Sequence, residues 1–257
     1  MQRLFQGVYA CADEPVTHQL RCAGAALALP PDTVITGRSA AVLWGVQLAR
    51  AQDPVEVVVP DATRITRRAS LDVRRGIVRP DESTPWSAVA VASPLRTALD
   101  LLLDRALPDA VADLDAVLRA GLVELSDVAA MVSRRSDKGI VLARRAVKLA
   151  DPRAESPPES RVRVWLALDG LYPEPQYWIE DSRGRLACAD LAFREQKVAV
   201  EYDGSWRDGQ LWALNRDRDR LNRVQAAGWE VVFVTAQLLH NPAHMVRTIR
   251  AALNRRT

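Results

Sequence analysis

Residues 186–203, which read LACADLAFREQKVAVEYD, predict the hairpin on which the fold of the second half of this chain depends. Apolar residues alternate with small or polar ones on both sides of the polar run 194–197. This pattern is typical of two strands and the turn that joins them. If the run is the whole loop, Phe193 pairs with Val198, and this register fixes every other pair along the hairpin.

Two acids are then expected to face each other across the hairpin. Counting back from the turn places Asp190 directly opposite Glu201, where the Cβ atoms of a cross-strand pair are about 4.5–5.5 Å apart and like charges destabilise each other. Asp203 lies two residues beyond Glu201 and is expected on the same face of the sheet. Three acids at one place indicate a cation held between them. An exposed polar face without a metal is the alternative.

The composition is that of an ordinary globular protein. The chain has 257 residues, of which 48% are hydrophobic and 26% charged, and its net charge of +3 is too small to indicate a nucleic-acid-binding protein by itself. Its three cysteines are scattered, without the spacing of a metal site. We find no apolar stretch of about 18 residues or more and no signal-peptide layout at the amino terminus. The sequence therefore predicts a cytoplasmic protein without membrane contact.

A polar, proline-rich stretch at residues 151–158, which reads DPRAESPP, is typical of a linker between domains. We predict an α/β domain with a helical end over 1–150 and a second domain over 159–257. The helical and alternating patterns of the second half predict the element order αβββαβα. The expected fold class is therefore α/β, with helices and strands mixed in both halves.

Several short motifs follow one another along the second half. In chain order they are Glu155-Ser156, Glu159-Ser160, Gly170-Leu171, Gly184, Asp190-Leu191, the run VEYDG at 200–204, Asp217-x-x-Arg220 and Gly228-Trp229. Together they resemble the bacterial endonuclease-like domains related to very-short-patch-repair (Vsr) endonucleases, which have the PD-(D/E)XK nuclease fold. The resemblance covers Glu155 to about Leu253.

The resemblance implies a metal-dependent endonuclease that hydrolyses phosphodiester bonds in DNA. Asp190 and Glu201 would be the metal-binding pair, with Asp203 beside them and Glu159 joining from the first helix. Mg²⁺, or Mn²⁺ in its place, is the implied cofactor, because carboxylates can hold such an ion against a phosphate and a water. A capping box at the start of the first helix, or an ion pair with Arg163, is the alternative role of Glu159.

Arginines of the long helix in the second half are expected to bind the DNA backbone. Arg216, Arg220 and Arg223 are spaced so that they can share one side of that helix. An ion pair on the helix surface between Asp217 and Arg220 is the alternative for those two residues.

The sequence departs from the family at two positions that bear on catalysis. Asp203 stands where the family has a lysine after the third-strand acid. Arg207 follows Trp206, where related domains often carry a histidine. We expect Arg207 to contact DNA, but a guanidinium cannot accept a proton. The alternative function is therefore a non-catalytic DNA-binding or antitoxin-type regulator with a degenerate nuclease fold.

The first half carries its own set of short motifs, at residues 4–9 (LFQGVY), 39–45 (SAAVLWG), 57–60 (VVVP) and 93–100 (SPLRTALD). The set resembles AbiEi-type antitoxin domains, which pair a winged helix with a larger α/β module. The resemblance implies a toxin–antitoxin partner and an amino-terminal domain that positions or regulates the nuclease. Few residues precede the wing strand, so we expect the winged-helix start to be incomplete.

Overall fold

The structure, a computed structural model, describes residues 1–65, 69–204 and 211–256, with the backbone alone over 211–218. The chain forms two compact units, Met1–Lys148 and Leu149–Thr257. Both units combine helices with strands, which confirms the expected α/β fold class. The stretch 151–158 belongs to the second unit, and its last two residues already lie in a helix.

The first unit is built on one mixed sheet. In chain order the elements are β1 (Gln2–Phe5), β2 (Val8–Ala10), α1 (His18–Ala28), β3 (Val34–Ile35), α2 (Gly37–Leu43), β4 (Val55–Val59), β5 (Leu71–Arg75), a 3-10 helix (Pro80–Glu82), β6 (Ser83–Trp86), β7 (Val89–Ala92), α3 (Pro94–Leu102), α4 (Leu107–Arg119), α5 (Leu125–Ser133) and α6 (Ile140–Leu149). The sheet has the order β5-β4-β3-β7-β6, while β1 and β2 form a separate hairpin.

Two strands predicted in the first half are wrong in detail because each region contains a turn. The apolar run 4–11 predicts a single strand, but Gly7 adopts a φ of 77° and divides the region into β1 and β2. The run 87–91 also predicts a single strand, whereas Ser87, with a φ of 53°, lies in the turn of the hairpin β6–β7. Turns with positive φ are common in tight hairpins.

A buried ionic network connects several elements of the first unit. Asp100 in α3 is 2% exposed and accepts hydrogen bonds from Arg96 at 3.0 Å and from the Thr36 hydroxyl, and it pairs with Arg74 at 2.8 Å. Arg96 also donates to Glu82 at 2.7 Å. A carboxylate buried this deeply is stable only when it is paired, so the network fixes α3 against β5 and the 3-10 helix.

The second unit has the predicted order of elements with one addition. It contains α7 (Pro157–Leu168), β8 (Glu174–Asp181), β9 (Gly184–Phe193), β10 (Val198–Asp203), α8 (Leu211–Ala226), β11 (Glu230–Thr235), α9 (Ala236–Leu239) and α10 (Pro242–Asn254). The four-residue helix α9 is the addition, and it is too short to give a periodic signal. Within the described ranges, no helix combines the length and the apolar character of a transmembrane span.

The sheet of the second unit has the order β11-β10-β9-β8 and is buried on both faces. Strand β9 is antiparallel to both β8 and β10, and β11 runs parallel to β10. Val198 and Val200 of β10 pack against α7 and α10 on what we name the α7 face. Ala199, between them, packs with Val224 of α8 on what we name the α8 face. This double burial explains why three consecutive residues of β10, at 198–200, are apolar.

Candidate metal centre

The predicted register of the β9–β10 hairpin is confirmed. Phe193 pairs with Val198, and the antiparallel pairing continues for two more residues. The described pairing ends one step before Asp190 and Glu201. Beyond that point the backbone N–H of Tyr202 donates to Oδ2 of Asp190 at 2.8 Å. In a continued antiparallel pair, a main-chain carbonyl of β9 would accept this hydrogen bond. Here the Asp190 carboxylate accepts it instead.

The alternation expected along β9 is interrupted at Asp190. Ala189 packs on the α8 face, whereas Leu191, two residues further along the strand, packs on the α7 face. Residues two apart in a regular strand share a face. The facing strand β8 is irregular at the same place, because Gln176 has a φ of 53°, a conformation that residues with a Cβ rarely adopt. Local irregularities of this kind often redirect side chains beside functional sites.

Asp190 lies among several other acids. The pKa of its carboxyl is raised to about 6: burial is the main cause, the hydrogen bond from Tyr202 opposes it, and the charges of Glu159, Glu201 and Glu155 add to the rise. Neighbouring carboxylates disfavour the ionised form in this way only when they are close together. Glu159 and Glu201 therefore contribute negative charge to the surroundings of Asp190.

Glu201 faces α8 and is 9% exposed. Its Oε2 accepts a hydrogen bond from Nη2 of Arg220 at 3.1 Å, so Arg220, which we expect to bind DNA, forms an ion pair with this acid. Among the described residues, Glu201 Oε1 and Asp190 Oδ1 accept no hydrogen bond. Two carboxylate oxygens on adjacent strands therefore have lone pairs that no described residue uses.

Glu159 is held by three hydrogen bonds at the start of α7. Its Oε1 accepts from the Ser156 hydroxyl at 2.7 Å, and its Oε2 accepts from the Glu155 backbone N–H at 2.9 Å and from the Gln176 amide at 3.0 Å. The Ser156 side chain makes no hydrogen bond to the helix backbone, so the capping box is incomplete. Because a carboxylate has about four acceptor sites, these three hydrogen bonds do not use all of them. The metal-binding role of Glu159 stays a prediction.

The remaining predicted residues lie elsewhere on the sheet and on α8, or outside the described residues. Asp203 ends β10, where it pairs with Thr235 of β11. Arg223 donates to Oδ2 of Asp181, in the last position of β8, at 3.1 and 2.6 Å. Arg207 and the side chains of Arg216 and Asp217 lie outside the described residues. Their expected DNA and ion-pair contacts stay predictions.

Two residues beside the acids, Gln176 and Cys188, were not indicated by the sequence. The Gln176 amide oxygen accepts a hydrogen bond from Sγ of Cys188 at 3.3 Å. Burial raises the pKa of the Cys188 thiol, and the charges of Glu155 and Asp190 add to this effect. The only signal in the sequence is position, because Cys188 comes two residues before Asp190 in β9.

The donor chemistry of the site fits a hard divalent cation. In the parts of the chain that are described, no three His, Cys, Asp or Glu side chains are assembled as a metal site. Mg²⁺ needs fewer protein ligands than that, since it usually binds through one or two carboxylates and keeps several waters. Oxygens of Asp190 and Glu201 are of the required type, and one oxygen of each accepts no hydrogen bond from the described residues, so these two residues could hold the ion.

A second polar group, in the first unit, has the residue types of a nucleophilic site but is sealed. Nε2 of His18 lies 2.8 Å from the Ser39 hydroxyl oxygen, and Nδ1 of His18 lies 3.0 Å from the Arg50 carbonyl oxygen. His18 is 3% exposed and Ser39 is fully buried. A substrate cannot reach this pair, so we assign it a structural role in joining α1 to α2.

The chain is 34% identical over 174 residues to each of two proteins of Mycobacterium tuberculosis, one from strain CDC 1551 / Oshkosh and one from strain ATCC 25618 / H37Rv. Both are named only as uncharacterised proteins. Each alignment covers 66% of this chain and 60% of the relative, so the chain spans about three fifths of the length of the curated relatives it matches. No family model and no solved structure matches the chain.

Proposed function

We propose that the second unit is a metal-dependent endonuclease that hydrolyses phosphodiester bonds of DNA. Asp190 and Glu201 would form its active site. The observation that carries the proposal is the pair of carboxylate oxygens, Asp190 Oδ1 and Glu201 Oε1, that accept no hydrogen bond from the described residues where the β9–β10 pairing ends. Burial chiefly, and the charges of nearby acids, raise the pKa of Asp190, so keeping its carboxylate ionised in this place costs folding energy. Bound Mg²⁺ or Mn²⁺ would offset this cost, and this compensation supports a metal-binding role for the acids.

Each acid has a distinct place in the proposal. Asp190 Oδ1 and Glu201 Oε1 would hold the ion, while the Tyr202 N–H fixes the orientation of the Asp190 carboxylate. Such an ion supplies charge stabilisation to the phosphate and lowers the pKa of a bound water. We place Glu159 and Asp203 beside this pair as further acids that orient water.

Arginines of α8 complete the proposal for DNA. Arg220 forms an ion pair with Glu201. A cation at Glu201 would replace that partner and leave the guanidinium available to a backbone phosphate. We propose the same type of phosphate contact for Arg207, Arg216 and Arg223, and we propose a cytoplasmic location for the protein.

Cleavage of supercoiled plasmid and of branched DNA, with Mg²⁺ or Mn²⁺ and with EDTA, tests the proposal. We expect nicking by the wild type and a loss of about 100-fold or more in Asp190→Ala and in Glu201→Ala, since these residues would be the metal ligands. Glu180→Gln, which changes an exposed acid of the same sheet, is the matched control and should keep full activity. Equal cleavage by all four proteins would reject the assignment.

A second candidate function is a non-catalytic DNA-binding or antitoxin-type regulator. The ion pair between Arg220 and Glu201 favours it, because an arginine there neutralises the acid without a metal. This candidate predicts DNA binding in EDTA, no cleavage, and a toxin partner, for which a neighbouring nucleotidyltransferase-type gene would be the first candidate. Mobility-shift measurements in EDTA and in Mn²⁺ separate the two functions.

A further inference from the structure

Gln176 lies at the irregular point of β8, and the proposed function gives it no role. It falls between two described pairs of β8 with β9, which places it opposite Asp190. Its φ of 53° lies in the left-handed region, where a residue with a Cβ is strained. Such strain persists only when the surrounding structure holds it in place, and it is concentrated at functional sites.

The backbone of Gln176 is matched to the interruption of β9. Alternation in β9 breaks between Ala189 and Leu191, on either side of Asp190. Directly paired residues of neighbouring strands keep to the same face of a sheet. The two strands therefore stay in register only if the alternation of side chains in β8 is also interrupted, at the residue that faces Asp190. The left-handed conformation of Gln176 provides this interruption. This arrangement leaves the Asp190 carboxylate able to reach the Tyr202 N–H.

The side chain of Gln176 connects two elements beside the acids. Its Nε2 donates to Glu159 of α7 at 3.0 Å, and its Oε1 accepts from Cys188 of β9 at 3.3 Å. Because one partner needs a donor and the other an acceptor, the orientation of the amide is fixed. Glu159 is thereby held where its charge acts on Asp190.

We infer that Gln176 is a positioning residue of the proposed metal centre, with its backbone orienting Asp190 and its amide holding Glu159. This inference rests on the proposed function, in that it concerns the same site. Outer partners of metal-site carboxylates generally change metal affinity by about 10–100-fold when they are removed.

The test compares Mn²⁺ binding by calorimetry in the whole chain. Gln176→Gly keeps the left-handed backbone accessible and removes the side chain with its amide. We expect its Mn²⁺ dissociation constant to rise about 10-fold. Gln196→Gly makes the same chemical change in the turn between β9 and β10 and should leave the constant unchanged. Equal dissociation constants in wild type and Gln176→Gly would overturn the inference.

A double-mutant cycle distinguishes positioning from a merely structural role. If the amide acts through Glu159, then adding Gln176→Gly to Glu159→Gln should weaken Mn²⁺ binding little beyond Glu159→Gln alone. Fully additive losses, or a lower urea midpoint with unchanged Mn²⁺ affinity, would overturn the inference. A wild type that binds Mn²⁺ but cuts no DNA would refute the proposed function, and the Mn²⁺ titrations would still decide the role of Gln176. A wild type that binds no Mn²⁺ would refute both.

Discussion

The substitution Asp190→Asn should stabilise the metal-free protein above pH 6. Burial chiefly, with the nearby glutamates adding to it, raises the pKa of Asp190 from 3.8 to about 6 in the folded state. As the pH rises, the unfolded chain releases this proton first, so stability is lost between about pH 4 and pH 6 and is not regained above that range. The difference between 6 and 3.8 sets a ceiling of about 3 kcal/mol. Partial exposure of the side chain reduces our expectation to about 1–2 kcal/mol.

Urea unfolding followed by tryptophan fluorescence, in EDTA, measures this effect. Asparagine can still accept the Tyr202 N–H, so Asp190→Asn removes the charge and keeps the hydrogen bond. We expect the variant to exceed the wild type by about 1–2 kcal/mol at pH 8, with a smaller difference toward pH 4. The control Glu180→Gln should show no comparable pH-dependent gain. A variant that is less stable than the wild type at pH 8, or a gain of equal size at both pH values, would refute the reasoning.

Three further predictions concern stability. Arg220→Gln leaves Glu201 without its cationic partner, so we expect the free energy of unfolding in EDTA to fall by about 1–2 kcal/mol. Thermal unfolding should show that Mn²⁺ restores this stability. A loss that Mn²⁺ does not restore would count against a cation at this acid. Burial lowers the pKa of His18 below 6.5, so its contribution to stability is present above pH 6.5 and is lost as the pH falls below that value. Melting at several pH values should show this slope in the wild type and a weaker one in His18→Gln, and equal slopes would contradict the assignment. Asp100→Asn should cost about 3 kcal/mol in urea unfolding, because Arg96 stays buried with less charge compensation, and an unchanged midpoint would contradict a role for the buried network.

Much of the second unit could be predicted because its local signals agree with one another. Helix α7 at 157–168 and strands β10 and β11 at 198–203 and 230–235 follow the predicted order αβββαβα. Prolines at the first helical positions and apolar runs bounded by polar turns fix these ends. The register of β9 with β10 was predictable for the same reason, since the four-residue polar turn leaves one natural pairing.

The surroundings of Asp190 could not be predicted, and the β8–β9 hairpin shows why. Counting back from the turn at 181–184 places Gln176 opposite Ala189. The described pairing shifts by one residue near Glu180, which places Gln176 opposite Asp190 instead. A bulge of this kind leaves no trace in the periodicity of apolar residues, because it is produced by backbone geometry and tertiary packing.

The ion pair between Glu201 and Arg220 also could not be predicted from the sequence. Spacing along α8 places Arg220 on a helix face and gives it a local partner in Asp217. Packing of α8 against the sheet instead brings Arg220 to Glu201 on β10, 19 positions away in the chain. Contacts between elements distant in sequence depend on the packed arrangement, and a single sequence contains no direct signal for them.

Anomalous diffraction from crystals of the whole chain soaked with Mn²⁺ tests the metal centre most directly. We predict a density peak in contact with Asp190 Oδ1 and Glu201 Oε1, at about 2.1–2.3 Å from each oxygen, and no such peak in Asp190→Ala. Density bound only at other residues, or no density while both carboxylates are open to solvent, would contradict a metal-dependent nuclease at this site.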